Sequence, residues 1–514
     1  MADPVGNALP SLGVELEMPV IDDTGATGLV DGRYFSALKT RRGGDGQTET
    51  LGGHSVAVVS PLAVNGIDNG WNLLETAHAP VPAGRDGLTL LARRIRADMA
   101  DVTAALATQG LRVTSLAQHP TAGCTPALYR KLVAPKPIYT YLTERRGWNH
   151  AVGIDAKAQN GPTTGTRPEK AVAELNMLLA AAPAFIALFA NSPFENGRPS
   201  GFMETRMTLW PRMVATSNVT ADHARVGVPS GWFMSLGEYF SWTFAPGTVM
   251  HAVPHDSGSY KGGTTLFEPG NGRMNAAAFF DAAQVQGRAV HNGTYAMISP
   301  GPAHFEFLQW SNFLDFRLRF DFAPPGPNAR DLARALSNPS EFLPLFRAHV
   351  CNMYIENRCC GATFVDADLA ARAPRPVQAS CMIAPSALQA GLVMAAHDHA
   401  VSFGVRWPLE TVKRLRWQAI RDGLPGPGSE LHNFCSEVLA LARRYLPPDD
   451  RHHLAYPAWV LETGATGARR AIDQRAGMGA AGAGVTGLQR LARARDAVPP
   501  PSTPSTEADR APYR

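Results

Sequence analysis

The sequence predicts a large core built from strands and helices together, either in a single large α/β or α+β catalytic domain or, as the length alone allows, in about two to four domains. Three observations carry this. Short stretches at 13–17, 71–76, 314–320 and 353–358 have strand character, most of them alternating apolar and polar or charged residues with period 2. Segments 86–110, 168–190 and most of 386–446 have the spacing or apolar content of helices. The chain has 514 residues at 45% hydrophobic content, which is ample for one large core.

In chain order, residues 1–10 are a short polar lead. Gly13-Val-Glu-Leu-Glu17 then reads as a strand with Glu15 and Glu17 on one face and Val14 and Leu16 on the other. Two like charges on one face repel. They persist when a divalent cation, usually Mg²⁺, is shared between them, or when the face is simply wet. The Gly-rich stretch 40–53 lacks the Gly-Lys-Ser/Thr ending of a phosphate-cradling loop, so it is given no nucleotide role. Asp68-Asn-Gly is a turn that opens a strand from Trp71 to Thr76. Asp68 and Glu75 either meet a shared cation or serve as turn chemistry and surface charge. Residues 86–110 form an amphipathic helix with Leu88, Leu91, Ile95, Met99, Val102 and Leu106 on its buried side.

His150 to Gly161 reads as a strand that places Asp155, Lys157 and Gln159 on one face, lining a polar cavity or lying on an exposed sheet. The apolar run Leu178–Ala190 is too short to span a bilayer, carries Pro183 and reads as part of a buried helix over 168–190, so no membrane-spanning segment is expected. The helix ends in a loop holding Asn191, Arg198 and Arg206. This is an anion-binding corner, or else its arginines pair with Glu195 and Glu204. Residues 228–300 mix strands and loops rich in aromatic residues and glycine. Asp315, Arg317 and Arg319 share one strand face, and Tyr354, Glu356 and Arg358 share another. Glu356 and Arg358 either neutralise each other or divide their work between a metal and a phosphoryl group. Helices over 386–402, 408–422 and 429–446 are expected on the sheet's outer face. Beyond 465, Ala, Gly and Arg give way to Pro-rich sequence, which predicts a flexible tail over 466–514 with solvated arginines.

The formal net charge of +4 gives no support for a nucleic-acid surface, and the small excess of Lys and Arg suits anionic small molecules. Six cysteines without Cys-x-x-Cys or zinc-ligand spacing, and an N-terminus without a basic-then-apolar leader, predict a reduced cytoplasmic setting. Cys359 reads as a buried structural thiol.

Six islands, in this order, resemble the glutamate–cysteine ligase family, which is made up of carboxylate–amine ligases with a glutamine-synthetase-like catalytic sheet. They are Gly-Val-Glu-Leu-Glu at 13–17, the Asp68 and Glu75 pair, Asn-Ser-Pro-Phe-Glu-Asn-Gly-Arg at 191–198, Gly-Phe-Met-Glu-Thr-Arg-Met-Thr-Leu-Trp at 201–210, Phe-Arg-Leu-Arg at 316–319, and Tyr-Ile-Glu-Asn-Arg at 354–358. The resemblance covers roughly residues 11–450, and the Asn-Ser-Pro-Phe segment is its most distinctive part. It implies an α+β fold with a curved, mainly antiparallel sheet, helices on its outer face, and one ligase domain over 11–465 with an insertion about 320–350. ATP is expected to phosphorylate a carboxylate, normally the γ-carboxylate of glutamate. An amine, normally that of cysteine, then displaces phosphate, and ADP is released. The resemblance also implies on the order of two or three Mg²⁺ ions. Its metal candidates are Glu15, Glu17, Asp68, Glu75 and Glu356. Arg358, with Glu356, is the catalytic pair, stabilising the phosphoryl group. Arg206, Arg198 and Arg317, with Asp155, Lys157 and Gln159, are candidates for binding substrate or ATP.

Two departures from the family leave the acceptor open between cysteine and another amino acid or amine. Asp155, Lys157 and Gln159 stand where the family usually carries Gln, His or Asn. An insertion between Arg319 and Tyr354 is expected to form a lid or an extra wall near the acceptor. The partners implied are small molecules only, with no nucleic acid or membrane, and no oligomeric state is set. The competing reading is a relative that binds nucleotide or amino acid without turnover. Clustered like charges, which have no physical reason to persist in a retired site, weigh against it. The ligase reading requires Glu15 and Glu17 to meet Glu356 across the sheet.

Overall fold

A computed structural model describes residues 10–84, 86–244, 250–255 and 265–502. Its centre is β1 (Ser11–Asp22), in which Val14, Leu16, Met18 and Val20 are all buried on one face. The other strands of the main sheet are β2 (Gln47–Leu51), β3 (His54–Val59), β4 (Ala63–Ile67), β5 (Leu73–His78), β6 (Asn160–Gly165), β7 (Phe316–Phe322) and β8 (Val350–Asn357). Their order is β7-β8-β6-β1-β5-β4-β3-β2, with every neighbouring pair antiparallel. The short strands Val81–Pro82 and Leu111–Val113 also pair with β1. The α+β reading therefore holds, with a large antiparallel sheet and helices.

The helices that matter here are α1 (Gly32–Arg41), α2 (Gly87–Ala107), α3 (Ala171–Leu188), α4 (Ala329–Ser337), α5 (Phe342–His349), α6 (Ala384–Arg406), α7 (Leu409–Asp422), α8 (Glu430–Tyr445), α9 (Gly467–Gly477) and α10 (Gly484–Ala494). The predicted helices at 86–110, 386–402, 408–422 and 429–446 correspond to α2, α6, α7 and α8. Helix α3 is 18 residues long and apolar enough to cross a membrane by length and composition, although the run Leu178–Ala190 alone reads as too short. Its sides are covered by α6, α7, α8 and β7, so its hydrophobic surface is core. Helix α6 lies on β6. The amide of its buried Gln389 donates to Thr164 Oγ1 at 3.1 Å and to the Ile355 carbonyl at 3.0 Å, tying the helix to two strands.

Two expectations are corrected. The insertion between β7 and β8 forms α4 and α5, but it is neither lid nor wall of the central cavity, whose lining includes no residue from it. Its apolar residues are drawn into an aromatic cluster instead. Phe342 and Phe346 lie 4.7 and 5.0 Å from Phe240, and Phe346 lies 4.9 Å from Phe320.

The stretch after 465 is also not a free tail through its described part. Leu488, Leu491 and Ala492 of α10 pack with Ile21, Leu116 and Phe194. The Ala468 N–H bonds the Ala190 carbonyl at 2.9 Å, and the Ala497 N–H bonds the Val113 carbonyl at 2.8 Å. Two of the arginines expected to be solvated are buried on one carboxylate. Arg470 Nη1 lies 3.2 Å from Asp366 Oδ1, and Arg495 Nη2 lies 3.0 Å from Asp366 Oδ2. Burial alone would raise the Asp366 carboxyl, but the two arginines hold it below the usual carboxylate range. Composition registers the Ala and Gly content but not a partner some hundred positions earlier. Residues 1–9 of the polar lead and 503–514 of the predicted tail lie outside the described residues.

Removing Asp366 leaves two buried guanidinium groups with only Asp368, 3.0 Å from Arg470 and 4.0 Å from Arg495, as shared counter-charge. Asp366→Ala is therefore expected to lower unfolding stability by about 3–5 kcal/mol in a urea titration. A solvated tail would leave the midpoint unchanged.

Candidate active site

The face of the sheet opposite the helices floors a cavity with two charged ends. The acidic end comes from β1 and β5. Period 2 puts Glu15 and Glu17 on the cavity face, and the register sets Glu17 directly across from Glu75. Glu17 is 7% exposed and Glu75 8%. Like charges directly opposite each other in an antiparallel pair are destabilising, and here they are also shielded from water. Burial pushes the Glu17 carboxyl well above its ordinary value; Arg206 and Arg358 oppose the shift, while Asp68 and Glu75 reinforce it. Glu17 Oε2 accepts the Gln159 N–H at 2.9 Å.

Asp68 comes from the turn after β4, and buried groups pin that turn. Lys136 Nζ donates to the carbonyls of Ile67 at 2.9 Å and Asp68 at 2.5 Å, and the Tyr139 hydroxyl donates to the Asp68 carbonyl at 3.2 Å. The amides of Asn69 and Asn72 reach the carbonyls of Gly153 and Ile154. Glu15, Glu17, Asp68 and Glu75 thus all line one cavity and offer it hard carboxylate oxygens, the donor type that Mg²⁺ takes.

The basic end comes from β7 and β8. Arg317 sits across from Glu356 in the register and grips it with both arms, Nε to Oε2 and Nη2 to Oε1, each at 3.0 Å. Arg358 Nη1 donates to Glu356 Oε1 at 2.6 Å, and Arg319 Nε lies 3.6 Å from Oε2. Burial would raise Glu356, but Arg317, Arg358 and Arg319 together hold it far below the usual range. Such surroundings favour a fixed counter-ion over a free metal ligand, so the expected metal role of Glu356 requires it to leave at least one guanidinium. Arg206, 2% exposed, donates to the Arg358 carbonyl at 2.6 Å and to the Gln159 side-chain oxygen.

Strand β6 lies between the two ends. It pairs Gly161 with Glu15 and Thr163 with Glu356, so Glu15 and Glu356 share the cavity but stand two strands and two residues apart, about 12 Å between Cα atoms by sheet geometry, and the expected meeting of these carboxylates is not seen. They face one another across a gap that a substrate can fill, rather than touching.

The roof is apolar. Ile138, Tyr139, Leu142, Trp148, Leu209 and Met213 line it with Trp210, Trp310 and Phe313. Trp210 stacks on Phe313 at 4.2 Å, and the Arg358 guanidinium lies 4.6 Å from the Trp210 ring centre. Sequence reasoning missed this wall and Lys136, because they come from loops and short helices that carry no periodic signal.

The other predicted residues divide: Lys157 and Gln159 reach the cavity lining, and Asp155 and Arg198 do not. Asp155, Lys157 and Gln159 do not share a strand face. The backbone turns at Ala156, whose φ is +58°, and the strand begins only at Asn160. Asp155 is buried behind the cavity. Lys157 reaches the lining, but its Nζ is held by Asp155 at 2.6 Å, Glu195 at 2.9 Å and the Val152 carbonyl at 2.7 Å. Cys124, Asp155 and Glu195 lie close enough to hold a metal, but the Lys157 ammonium already supplies the positive charge there. Gln159 alone does site work, joining Glu17 to Arg206. Arg198 is exposed and does not line the cavity. Cys359 is fully buried, and burial keeps its thiol protonated, in keeping with a structural role.

Comparison with known proteins gives the following. Residues 11–253 match the family described as Glutamate-cysteine ligase family 2 (GCS2), as the islands predicted. No curated protein sequence matches the chain. The crystal structure of a glutamate–cysteine ligase (gshA) from Francisella tularensis, in complex with AMP, aligns with a TM-score of 0.50 and 12% identity over 95% of this chain and 88% of that one; at this identity the match speaks for the fold. A bifunctional glutathione synthetase from Pasteurella multocida aligns with a TM-score of 0.43 and 12% identity over 95% of this chain, which spans about half, 52%, of that protein.

Because Glu17 and Glu75 repel each other in a dry site, Glu17→Gln is expected to stabilise the metal-free protein by about 1 kcal/mol. The same change should shrink the rise in melting temperature that Mg²⁺ produces. Thermal unfolding with and without Mg²⁺ checks both effects. A wet strand face would show neither.

Proposed function

We propose that this chain, whose residues 11–253 match the glutamate–cysteine ligase family, is an ATP- and Mg²⁺-dependent ligase. It activates a carboxylate, the γ-carboxylate of glutamate, as an acyl phosphate and joins it to an amine, that of cysteine. ADP and phosphate are released. One observation carries the reading: four carboxylates and a cluster of arginines line the two ends of one cavity.

Glu15, Glu17, Asp68 and Glu75 would hold the metal, which when bound would supply positive charge to offset that of the triphosphate. Phosphoryl transfer needs positioning and charge stabilisation more than covalent help. Arg358 supplies the stabilisation: its guanidinium is fixed edge-on by Glu356 and face-on by Trp210, so it does not reorganise as charge moves. Arg317 is anchored by Glu356 and by the Asn312 carbonyl at 3.0 Å, and it offers a second fixed positive charge to substrate carboxylate or phosphate. Arg206 is a positioning residue that holds the Arg358 backbone. The aromatic roof keeps water from the acyl phosphate until the amine attacks its carbonyl carbon, phosphate departs and the amine gives up a proton.

The same roof supports a second reading of the acceptor. A wall of Trp148, Trp210, Trp310 and Phe313 suits an amine with an apolar side chain as well as it suits cysteine. Six unpaired thiols are in keeping with work in a reduced, cytoplasmic compartment.

ADP release, followed with glutamate and a panel of amino-acid and amine acceptors, tests the proposal. Turnover is expected with Mg²⁺ and glutamate. Arg358→Gln and Glu356→Gln should each lower kcat by about 10²-fold or more. A purely binding relative would release no ADP with any pair.

A further inference from the structure

A second cavity lies on the opposite face of the sheet, between the end of α1, the β3–β4 turn and α2, with a volume of about 620 Å³. Its lining carries three guanidinium groups, on Arg41, Arg42 and Arg94, and three carboxylates, on Asp45, Asp98 and Asp101. The formal charges cancel. Arg42 pairs with Asp98 and Asp101, and Arg41 with Asp101, so both signs of charge are fixed side by side where a ligand that carries both can meet each.

The buried end supplies the acceptors. Asp98 is 5% exposed and His78 7%. Asp98 Oδ1 takes bonds from Arg42 and from the Asn65 amide at 3.0 Å. Among the described residues, Asp98 Oδ2 and His78 Nε2, 3.8 Å apart, have no hydrogen-bond partner. Buried polar atoms without partners are costly, so their presence at a cavity points to a group that completes them. An ammonium fits: one N–H for the carboxylate and one for the imidazole, which burial keeps neutral. The adjoining donors are Arg42, already bonded to the same Asp98, and Arg94, whose Nη1 reaches the Ala79 carbonyl at 3.0 Å while its Nε is unpartnered. Carboxylate and ammonium groups one carbon apart match these neighbouring charges. Pro61, Leu62, Ala63 and Ala97 leave apolar surface for a side chain.

We propose that this cavity is a binding site for a free α-amino acid, separate from the ligase cavity. It lies directly behind it: Glu75 of β5 faces the active site, and the next residue, Thr76, accepts the Asn65 amide at 2.7 Å within the Asp98 network.

Equilibrium dialysis of the full chain against each labelled proteinogenic amino acid, without ATP, tests the site. At least one should bind the wild type and Arg358→Gln equally, while its N-acetyl derivative should not bind. Ala97→Trp, at an exposed position of α2 on the cavity rim, should weaken binding about tenfold or more without altering ADP release. The proposal is overturned if no amino acid binds, if Ala97→Trp has no effect, or if Arg358→Gln abolishes the binding, which would place the ligand in the ligase cavity. Since no turnover is read in the dialysis, failure of the ligase reaction would leave this result standing.

Discussion

Two carboxylates that should repel stand opposite each other at the centre of this fold. Glu17 and Glu75 are neighbours across β1 and β5, both nearly buried, on a sheet whose other face is packed with helices. Such a pair is unfavourable unless something positive is shared between them. Much of what surrounds the pair makes sense as support for that arrangement. Lys136 and Tyr139 hold the Asp68 turn, Gln159 binds the Glu17 carboxylate through its backbone, and Arg206 links Gln159 to the Arg358 segment. The second charged centre has the opposite character: one glutamate among three arginines, which leaves it net positive. The cavity thus joins an end that wants cations to an end that offers them. This is the polarity a triphosphate and a carboxylate require when held together.

The strands that carry this site were readable because each has one buried face. Period 2 placed Glu15 with Glu17 and Arg317 with Arg319, and the pairing of Arg317 with Glu356 follows once β7 and β8 pair antiparallel. What was not readable had local or distant causes. The turn at Ala156 rests on a positive φ in a residue type that gives no sign of it, so the alternation of Asp155, Lys157 and Gln159 suggested a strand face that does not exist. Arg198 and Arg206 both sit in family-like islands. Only packing separates the exposed one from the buried one.

The C-terminal segment shows the same limit at longer range. Its composition suggests disorder, yet Arg470 and Arg495 meet at Asp366, and α10 closes over Ile21 and Leu116. A buried ion cluster formed from positions far apart leaves no periodic trace. The insertion between β7 and β8 was found by length, but its destination, an aromatic core around Phe240, depended on partners that length does not reveal.

The central claim is that the acidic end of the cavity exists to hold divalent cations. Counting Mn²⁺ bound per chain by electron paramagnetic resonance, with a non-hydrolysable ATP analogue present, tests it most directly. The account predicts about two or three ions, with at least one lost when Glu15 and Glu75 are both changed to Gln. A chain that binds no Mn²⁺, or whose count is unmoved by that double change, would contradict it.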